Sequence, residues 1–216
     1  NICEKLKLLN EYKSKGEDGV SGYVLKNAAY GWSRPLEILF KQSLMDGSLP
    51  NAWLRANVTP LYKGGSKLES SNYRPVSLTS IICKLLEKFI KESIESYLIK
   101  YNLINSSQHG FVQLKSCSTN LLETIDVITS EIANNNQIDL VYLDFAKAFD
   151  KVPHRLLLYK LKSFGIDDEI YNWISAFLRN RKQRVILGNT VSNWIEVESG
   201  VPQGSVLGPL LFILYI

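Results

Sequence analysis

The order of secondary structure that the sequence predicts after residue 137 is the feature that most limits the possible folds. Ile138 to Phe145 is a dense apolar run with two β-branched residues, which predicts a buried strand. The elements predicted after it are a helix over 153–165, a helix capped by Asp167 or Asp168 that reaches Leu178, strands Arg184–Leu187 and Trp194–Val197, a loop at Gly200–Gly204, and a helix from Ser205. This order predicts an α/β fold with helices packed on a mixed or antiparallel sheet.

Helical spacing dominates the first 137 residues. Residues 1–56 are predicted to be helical around a break at Gly16–Gly19, with Ile38, Leu39 and Leu44 on the buried face. A short strand is predicted at 58–62, and further helices at 78–101 and 120–132. The polar run Asn134–Asn136 indicates a boundary, so we expect a mostly helical domain over 1–137 and a second domain over 138–216.

Charge and cysteine content narrow the class of protein. A net charge of +4 permits a nucleic-acid partner without requiring one. Three widely spaced cysteines without a CxxC pair argue against a disulfide framework or a structural zinc site, and indicate a reducing, intracellular setting. The most apolar run, Val206–Ile216, is about half the roughly 20 residues that span a bilayer. We therefore expect no membrane partner.

Asp144 is the first candidate for chemistry, because it ends the apolar run. A lone carboxylate inside a buried strand is costly, whereas at the carboxyl end of a strand it can hold a cation. Asp150 follows after a turn. A structural interpretation competes, in which backbone amides satisfy Asp144 and Asp150 caps a helix. Spacing alone favours that structural interpretation.

Longer motifs change the balance. Residues 142–154 (YLDFAKAFDKVPH) closely resemble the first acidic motif of non-LTR reverse transcriptases of the jockey type, and 200–212 (GVPQGSVLGPLLF) resemble the family's glycine-rich motif. Residues 177–185 (FLRNRKQRV) resemble the stretch between them. Upstream, 72–78 (NYRPVSL) and 108–111 (QHGF) resemble motifs of the fingers, and 16–20 (GEDGV) the entry segment. The resemblance covers nearly the whole chain in the right order.

The resemblance implies a right-hand polymerase fragment with fingers over 1–137 and a partial palm over 138–216. It implies an RNA-directed DNA polymerase that extends a DNA primer along an RNA template with deoxynucleoside triphosphates. Its Mg²⁺ or Mn²⁺ ions would be held at Asp144 and Phe145. An element protein of this kind would be found in the nucleus or cytoplasm.

The same resemblance assigns roles around the nucleotide. Phe149 would lie beneath the incoming sugar and exclude a 2′-hydroxyl, although a plain core phenylalanine is the alternative. Gln203 and Gly204 would lie beside the nucleotide and the template base, unless Gly204 only forms an ordinary turn.

Basic residues complete the proposed site. Lys63 and Arg74 would grip the triphosphate, with a solvated surface charge as the alternative for either residue; the match around Pro75 favours Arg74. Four cations within six residues could track a nucleic-acid backbone, or could be a solvated helix end: Arg179, Arg181, Lys182 and Arg184.

The chain departs from the family pattern in two places. Val112 follows the QHGF motif where arginine is usual, which could weaken the grip on a template. The family's second acidic motif, two adjacent aspartates on a hairpin, is expected to lie beyond Ile216. Without it, we expect the chain as printed not to sustain polymerisation.

Two alternatives stay open. One is a non-catalytic, nucleic-acid-binding remnant of a decayed or captured element. The other is a polymerase of another kind, such as an intron maturase or an RNA-templated RNA polymerase. Phe149 argues against the use of ribonucleotides, and the long match over 147–154 favours the retrotransposon type over the maturase.

Overall fold

In the described part of the chain, three helices and two strands come first, and four helices, three short strands and a last helix follow. The computed structural model describes residues 1–166 and 168–216. Its helices are α1 Ile2–Lys7, α2 Gly22–Asn27, α3 Ala29–Asp46, α4 Ile81–Lys100, α5 Cys117–Ala133, α6 His154–Ser163, α7 Asp168–Leu178 and α8 Gly208–Tyr215. Its strands are β1 Arg55–Tyr62, β2 Tyr73–Leu78, β3 Lys182–Leu187, β4 Thr190–Val191 and β5 Ile195–Glu196. Asp167, one of the two predicted caps of α7, lies outside the described residues.

The sheet mixes parallel and antiparallel pairing. Its order is β2-β1-β3-β4, and β5 also pairs with β3. Strand β1 runs antiparallel to β2 and parallel to β3, so Asn57 lies opposite Leu78 on one side and Arg184 on the other. The predicted α/β class with a mixed sheet is confirmed. Strands from both sides of residue 137 share this sheet.

Strand β2 was not predicted from the sequence, because its pattern is weak. Pro75 interrupts it, and Pro75 lies opposite Pro60 in the register. Proline has no backbone N–H to donate to the ladder, so it is expected where pairing on one side has ended. The pairing of β1 with β3 reaches only Val58, which leaves Pro60 beyond it.

One apolar core joins the described helices other than α5. Trp173 and Phe177 of α7 are fully buried and stack at a centroid distance of 5.3 Å. The indole N–H of Trp173 donates to Ser43 Oγ of α3 at 2.9 Å, which satisfies its one polar atom. Helix α8 buries Leu210, Leu211 and Leu214 in the same cluster, as predicted for an apolar terminal helix.

The buried face of α3 differs from the prediction. Leu36, Phe40 and Ser43 face the core, whereas Ile38 and Leu39 are exposed. Each residue turns a helix by about 100°, so a face assigned two residues away points in a different direction. The end of α3 is as predicted, with Gly47 in the left-handed conformation after Asp46.

The predicted strand over 138–145 is wrong in this structure. The segment has no regular secondary structure, and Val141, Tyr142 and Leu143 are largely exposed. A strand needs a neighbour to take up its backbone N–H and C=O groups. No strand pairs with this segment in the part of the chain that the structure describes.

Helix α5 confirms the helix predicted over 120–132. It lies outside the core. None of its residues is buried, and Leu121, Leu122 and Ile125 are more than half exposed. Its first turns are tied to the preceding loop instead. His109 makes hydrogen bonds to Thr119 Oγ1 at 2.8 Å and to Glu123 Oε2 at 2.6 Å.

Candidate functional site

The glycine-rich loop over 200–208 lies between two other segments. Gly200 N donates to Val152 O, and Val201 N donates to Phe149 O, both at 2.8 Å. On the other side, Ser77 N of β2 donates to Gln203 O at 2.8 Å. The loop is therefore hydrogen-bonded both to the turn inside the first acidic motif and to the strand that carries Arg74.

Gly204 allows this close approach. A Cβ atom at this position would lie 2.6 Å from Ser77 O, and the residue has φ of +118°. Both the contact and the backbone conformation exclude a side chain. The sequence motif is thus explained by its contact with β2.

A cleft of about 320 Å³ opens beside this loop. Pro75, Ser77, Asp150, Arg181 and Gln203 are among its lining residues. Two buried polar atoms in it, Gln203 Oε1 and Arg181 Nη2, have no hydrogen-bond partner among the described residues. Both atoms are buried from solvent, so the described residues leave the hydrogen-bonding capacity of one acceptor and one donor unused beside the cleft.

A second cavity of about 570 Å³ lies against strands β1, β2 and β3. Lys63, Lys67 and Lys147 line it together with Asp150. Three ammonium groups beside one carboxylate favour an anionic ligand such as a phosphate chain. Of these lysines only Lys63 was predicted from the sequence. Lys147 could have been found, since it lies inside the acidic motif.

Phe149 lies in the 3₁₀ turn Ala148–Lys151 and is half-buried. Its ring stacks on Phe212 of α8 at a centroid distance of 4.9 Å and meets Phe111 edge-on at 5.8 Å. The aromatic contacts fix the ring and pack it against the core. They also bring the QHGF motif, the acidic motif and α8 together.

Asp144 and Phe145 lie elsewhere. Both are exposed in the irregular segment before the turn, and neither is among the residues that line the two cavities. Among the described residues, no group of three or more His, Cys, Asp or Glu side chains could hold a metal ion. The Asp144 carboxylate and the main-chain carbonyl of Phe145 are oxygen donors of the kind that hard divalent cations take as ligands.

The basic residues fall into different environments. Arg74 is exposed on β2, and Arg179 and Lys182 are exposed beside the start of β3. Arg184 donates to Asn57 Oδ1 at 2.8 Å, and its guanidinium lies 4.4 Å from the centre of the Trp194 ring.

Arg181 differs from the expectation of one exposed cationic run. It is only 3% exposed, donates to Phe177 O at 3.1 Å and lies over the Phe177 ring. Because burial lowers the pKa of this guanidinium, the site is costly for a cation. Its place at the end of α7 turns it inwards, a direction that the spacing of charges does not reveal.

Glu87 of α4 was not predicted from the sequence. Its carboxylate is completely buried, and Oε2 accepts hydrogen bonds from Val206 N at 2.7 Å and Leu207 N at 3.0 Å. Burial raises the pKa of Glu87, while the two amides and Arg181 act in the opposite direction. The available signal was its position four residues after Cys83 and three before Ile90, on the buried face of the helix.

Comparisons with known proteins identify the family of this chain. The family described as reverse transcriptase (RNA-dependent DNA polymerase) matches residues 62–216. A probable RNA-directed DNA polymerase from transposon BS of Drosophila melanogaster is 30% identical over 99% of this chain and 24% of its own length. The RNA-directed DNA polymerase from mobile element jockey of Drosophila funebris is 29% identical, over 99% of this chain and 23% of its own length.

A more distant relative is the retrovirus-related Pol polyprotein from type-1 retrotransposable element R2 of Popillia japonica. It is 28% identical over 78% of this chain and 23% of its own length. The chain thus spans about a quarter of the length of these curated relatives. Within the described residues, no helix is both long enough and apolar enough to cross a membrane. The family match covers well over half of the sequence, and the chain belongs to the reverse transcriptase (RNA-dependent DNA polymerase) family.

Proposed function

We propose that this chain forms the fingers, over 1–137, and the first part of the palm, over 138–216, of an RNA-directed DNA polymerase. One observation carries the proposal. The glycine-rich loop is hydrogen-bonded both to the turn after Asp144 and to β2, which carries Arg74. Three segments that are distant in sequence therefore meet where a nucleotide would be held between fingers and palm.

The triphosphate of the nucleotide binds in the lysine-lined cavity. Lys63 binds it there, and Lys67 and Lys147 add two further cations to the same wall. Arg74, exposed on the neighbouring strand, completes the group with a forked guanidinium.

The sugar and base of a deoxynucleotide contact Phe149 and the glycine-rich loop. The contacts of Phe149 with Phe111 and Phe212 keep its ring in one position, as steric exclusion of a 2′-hydroxyl requires. The side-chain carbonyl oxygen of Gln203 has no partner among the described residues, and the missing side chain of Gly204 lets the loop lie against β2.

Asp144 and the carbonyl of Phe145 would hold Mg²⁺. When bound, the ion supplies charge neutralisation at the phosphates of the nucleotide. Asp144 belongs to the chain segment that leads into the Ala148–Lys151 turn, so it is connected directly to the residues beside the loop.

The template and primer follow the cationic edge at the start of β3. Arg179, Lys182 and Arg184 provide phosphate contacts there, and RNA and DNA strands share that chemistry. Arg181 is buried and is left out of this surface.

The test is primer extension on an RNA template with the full-length protein that the gene encodes. We expect Asp144→Ala to lower the rate at least ~100-fold, because a metal-holding carboxylate supplies several kcal/mol of charge stabilisation. Asp139→Asn is the matched control, since it removes one exposed carboxylate from the same segment. We expect its rate to stay within about twofold of the unmodified protein.

Full extension by Asp144→Ala would contradict the assignment of this residue. Binding of primer–template without any extension by the unmodified protein would instead favour the non-catalytic remnant. A filter-binding assay run beside the extension assay separates these two results.

A further inference from the structure

The buried carboxylate of Glu87 accepts hydrogen bonds from two backbone amides of the glycine-rich loop. One oxygen, Oε2, accepts both the Val206 and the Leu207 amide at 2.7 and 3.0 Å. These are the last residues of the glycine-rich loop before α8. The N-cap residue of α8, Leu207, has no side-chain cap of its own. Glu87 therefore supplies, from α4, the acceptor for the two amides that come just before the first turn of α8.

Burial of the Glu87 carboxylate costs free energy, which indicates that this residue does more than fill space in the core. An ionised carboxylate with no exposure carries a desolvation penalty, and an apolar residue would fill the same space without it. The negative charge is stabilised at this place by the positive end of the helix dipole and by two N–H donors. The two amides therefore stabilise the buried carboxylate only while the loop keeps its present geometry.

Two anchors hold the loop, and both belong to the same part of the chain. Ser77, near the end of β2, binds Gln203 O, and Glu87, in the second turn of α4, binds the amides of Val206 and Leu207. Between the anchors, Ser205 Oγ accepts from Gly208 N and donates to Pro202 O, both at 2.9 Å. The β2–α4 unit therefore grips the loop on either side of Gly204.

We propose that Glu87 is a positioning residue that fixes the Pro202–Leu207 loop against β2 and so presents Gln203 to the incoming nucleotide. This inference rests on the proposed function, because Gln203 is taken as a nucleotide contact. Arg181 supports the anchor by its positive charge, and Cys83 and Lys84 are the other titratable groups close to Glu87.

Steady-state kinetics of the full-length protein test the proposal. We expect Glu87→Ala to raise KM for the deoxynucleotide about tenfold, with a smaller change in kcat, since a displaced loop weakens nucleotide contact. Glu87→Gln keeps a neutral acceptor, so we expect a rise of about threefold. Leu98→Ala removes a fully buried side chain about 16 Å further along α4, and we expect its KM to stay within about twofold.

Amide exchange gives a readout that does not depend on activity. We expect the amides of Val206 and Leu207 to exchange at least ~10-fold faster in Glu87→Ala, relative to those of α7, and not in Leu98→Ala. Should Glu87→Ala fail to fold, Glu87→Gln carries both measurements, with faster exchange at the same two amides expected.

Two results would overturn the positioning role. The first is an unchanged KM in a folded Glu87 variant, and the second is an equal rise of KM in Leu98→Ala. If the unmodified protein does not extend a primer, the proposed function fails, and exchange alone then decides whether Glu87 anchors the loop. Unchanged exchange at Val206 and Leu207 would remove the anchor itself.

Discussion

A methyl group added at Gly204 would meet the Ser77 carbonyl oxygen at 2.6 Å, and the backbone there has φ of +118°. We expect Gly204→Ala to lower the free energy of unfolding by about 1–3 kcal/mol, because strand and loop would have to separate and the backbone would be strained. Urea denaturation followed by circular dichroism measures the change.

Gly31→Ala is the matched control for this prediction. Gly31 lies inside α3, and a Cβ atom there would have no neighbour within 4 Å. We expect the free energy of unfolding of this variant to rise by about 0.5–1 kcal/mol, since alanine is the better helix former. Equal stability of the two variants would show that the loop does not lie against β2 as described.

The buried Glu87 predicts a pH dependence of stability. Burial raises its pKa above 4.5, the value for an exposed glutamate, so the folded protein binds more protons than the unfolded protein between these two values. The stabilisation is therefore complete below pH 4.5 and is lost as pH rises through the pKa of the folded state.

Glu87→Gln has no such titration, so it serves as the reference protein. We expect the stability of the unmodified protein, relative to Glu87→Gln, to fall as pH rises from about 4.5 and then to level off. Urea titrations of both proteins between pH 4.5 and 8 measure this difference. An increase of the difference with pH would contradict the burial of an ionisable carboxylate here.

Residues differ in how well the sequence predicts them. Gly204 was singled out from the sequence motif, and its backbone conformation and its contact with Ser77 O do require glycine. Glu87 and the burial of Arg181 were missed, because a charged residue is usually assigned to the surface. Only the arrival of the loop 119 residues later gives the Glu87 carboxylate its partners.

Helix α5 shows the same limit for elements. Its apolar spacing predicts a helix correctly, but spacing cannot show whether another element covers the apolar face. The segment over 138–145 has the composition of a buried strand, and its neighbours decide whether it becomes one. Helices α4, α7 and α8 were predicted well because the apolar faces that their sequences indicate are the faces that pack in the core.

An exposed helix should unfold locally, and the capping residue of α5 tests this. Ser116 caps α5 by accepting from Thr119 N at 3.2 Å. We expect Ser116→Ala to lower the local stability of α5 by about 1 kcal/mol and to speed its amide exchange about fivefold. Global stability should stay within about 0.5 kcal/mol, because α5 buries no side chain in the core.

Ser80→Ala is the control at the buried end of α4. Ser80 is fully buried and accepts from Cys83 N at 3.2 Å, so we expect the global free energy of unfolding to fall by about 1–2 kcal/mol. Hydrogen exchange with mass spectrometry compares the two variants. A global loss in Ser116→Ala would mean that α5 unfolds together with the core.

For the whole molecule, the net charge of +4 is less informative than its distribution. If the exposed cations beside β3 contact phosphates, affinity for a primer–template must fall with salt. We expect the double variant Arg179→Gln/Lys182→Gln to reduce the slope of log K against log salt by about 2, because each substitution leaves one phosphate without its cation.

A second double variant, Lys41→Gln/Lys100→Gln, controls for charge alone. It removes two exposed cations from α3 and α4, neither of which belongs to the sheet, and should leave the slope unchanged. Fluorescence anisotropy at several salt concentrations measures both. Equal slopes for the two variants would mean that the β3 edge is not where nucleic acid binds.

The parallel pairing of β1 with β3 determines when this molecule can fold. The Arg184 guanidinium reaches Asn57 across 127 residues of sequence. At 5–20 residues per second a ribosome needs about 6–25 s to make that length, during which the open edge of β1 stays available to other chains. Such a long-range contact also slows refolding. Chaperone binding to nascent chains should therefore end only once β3 has emerged.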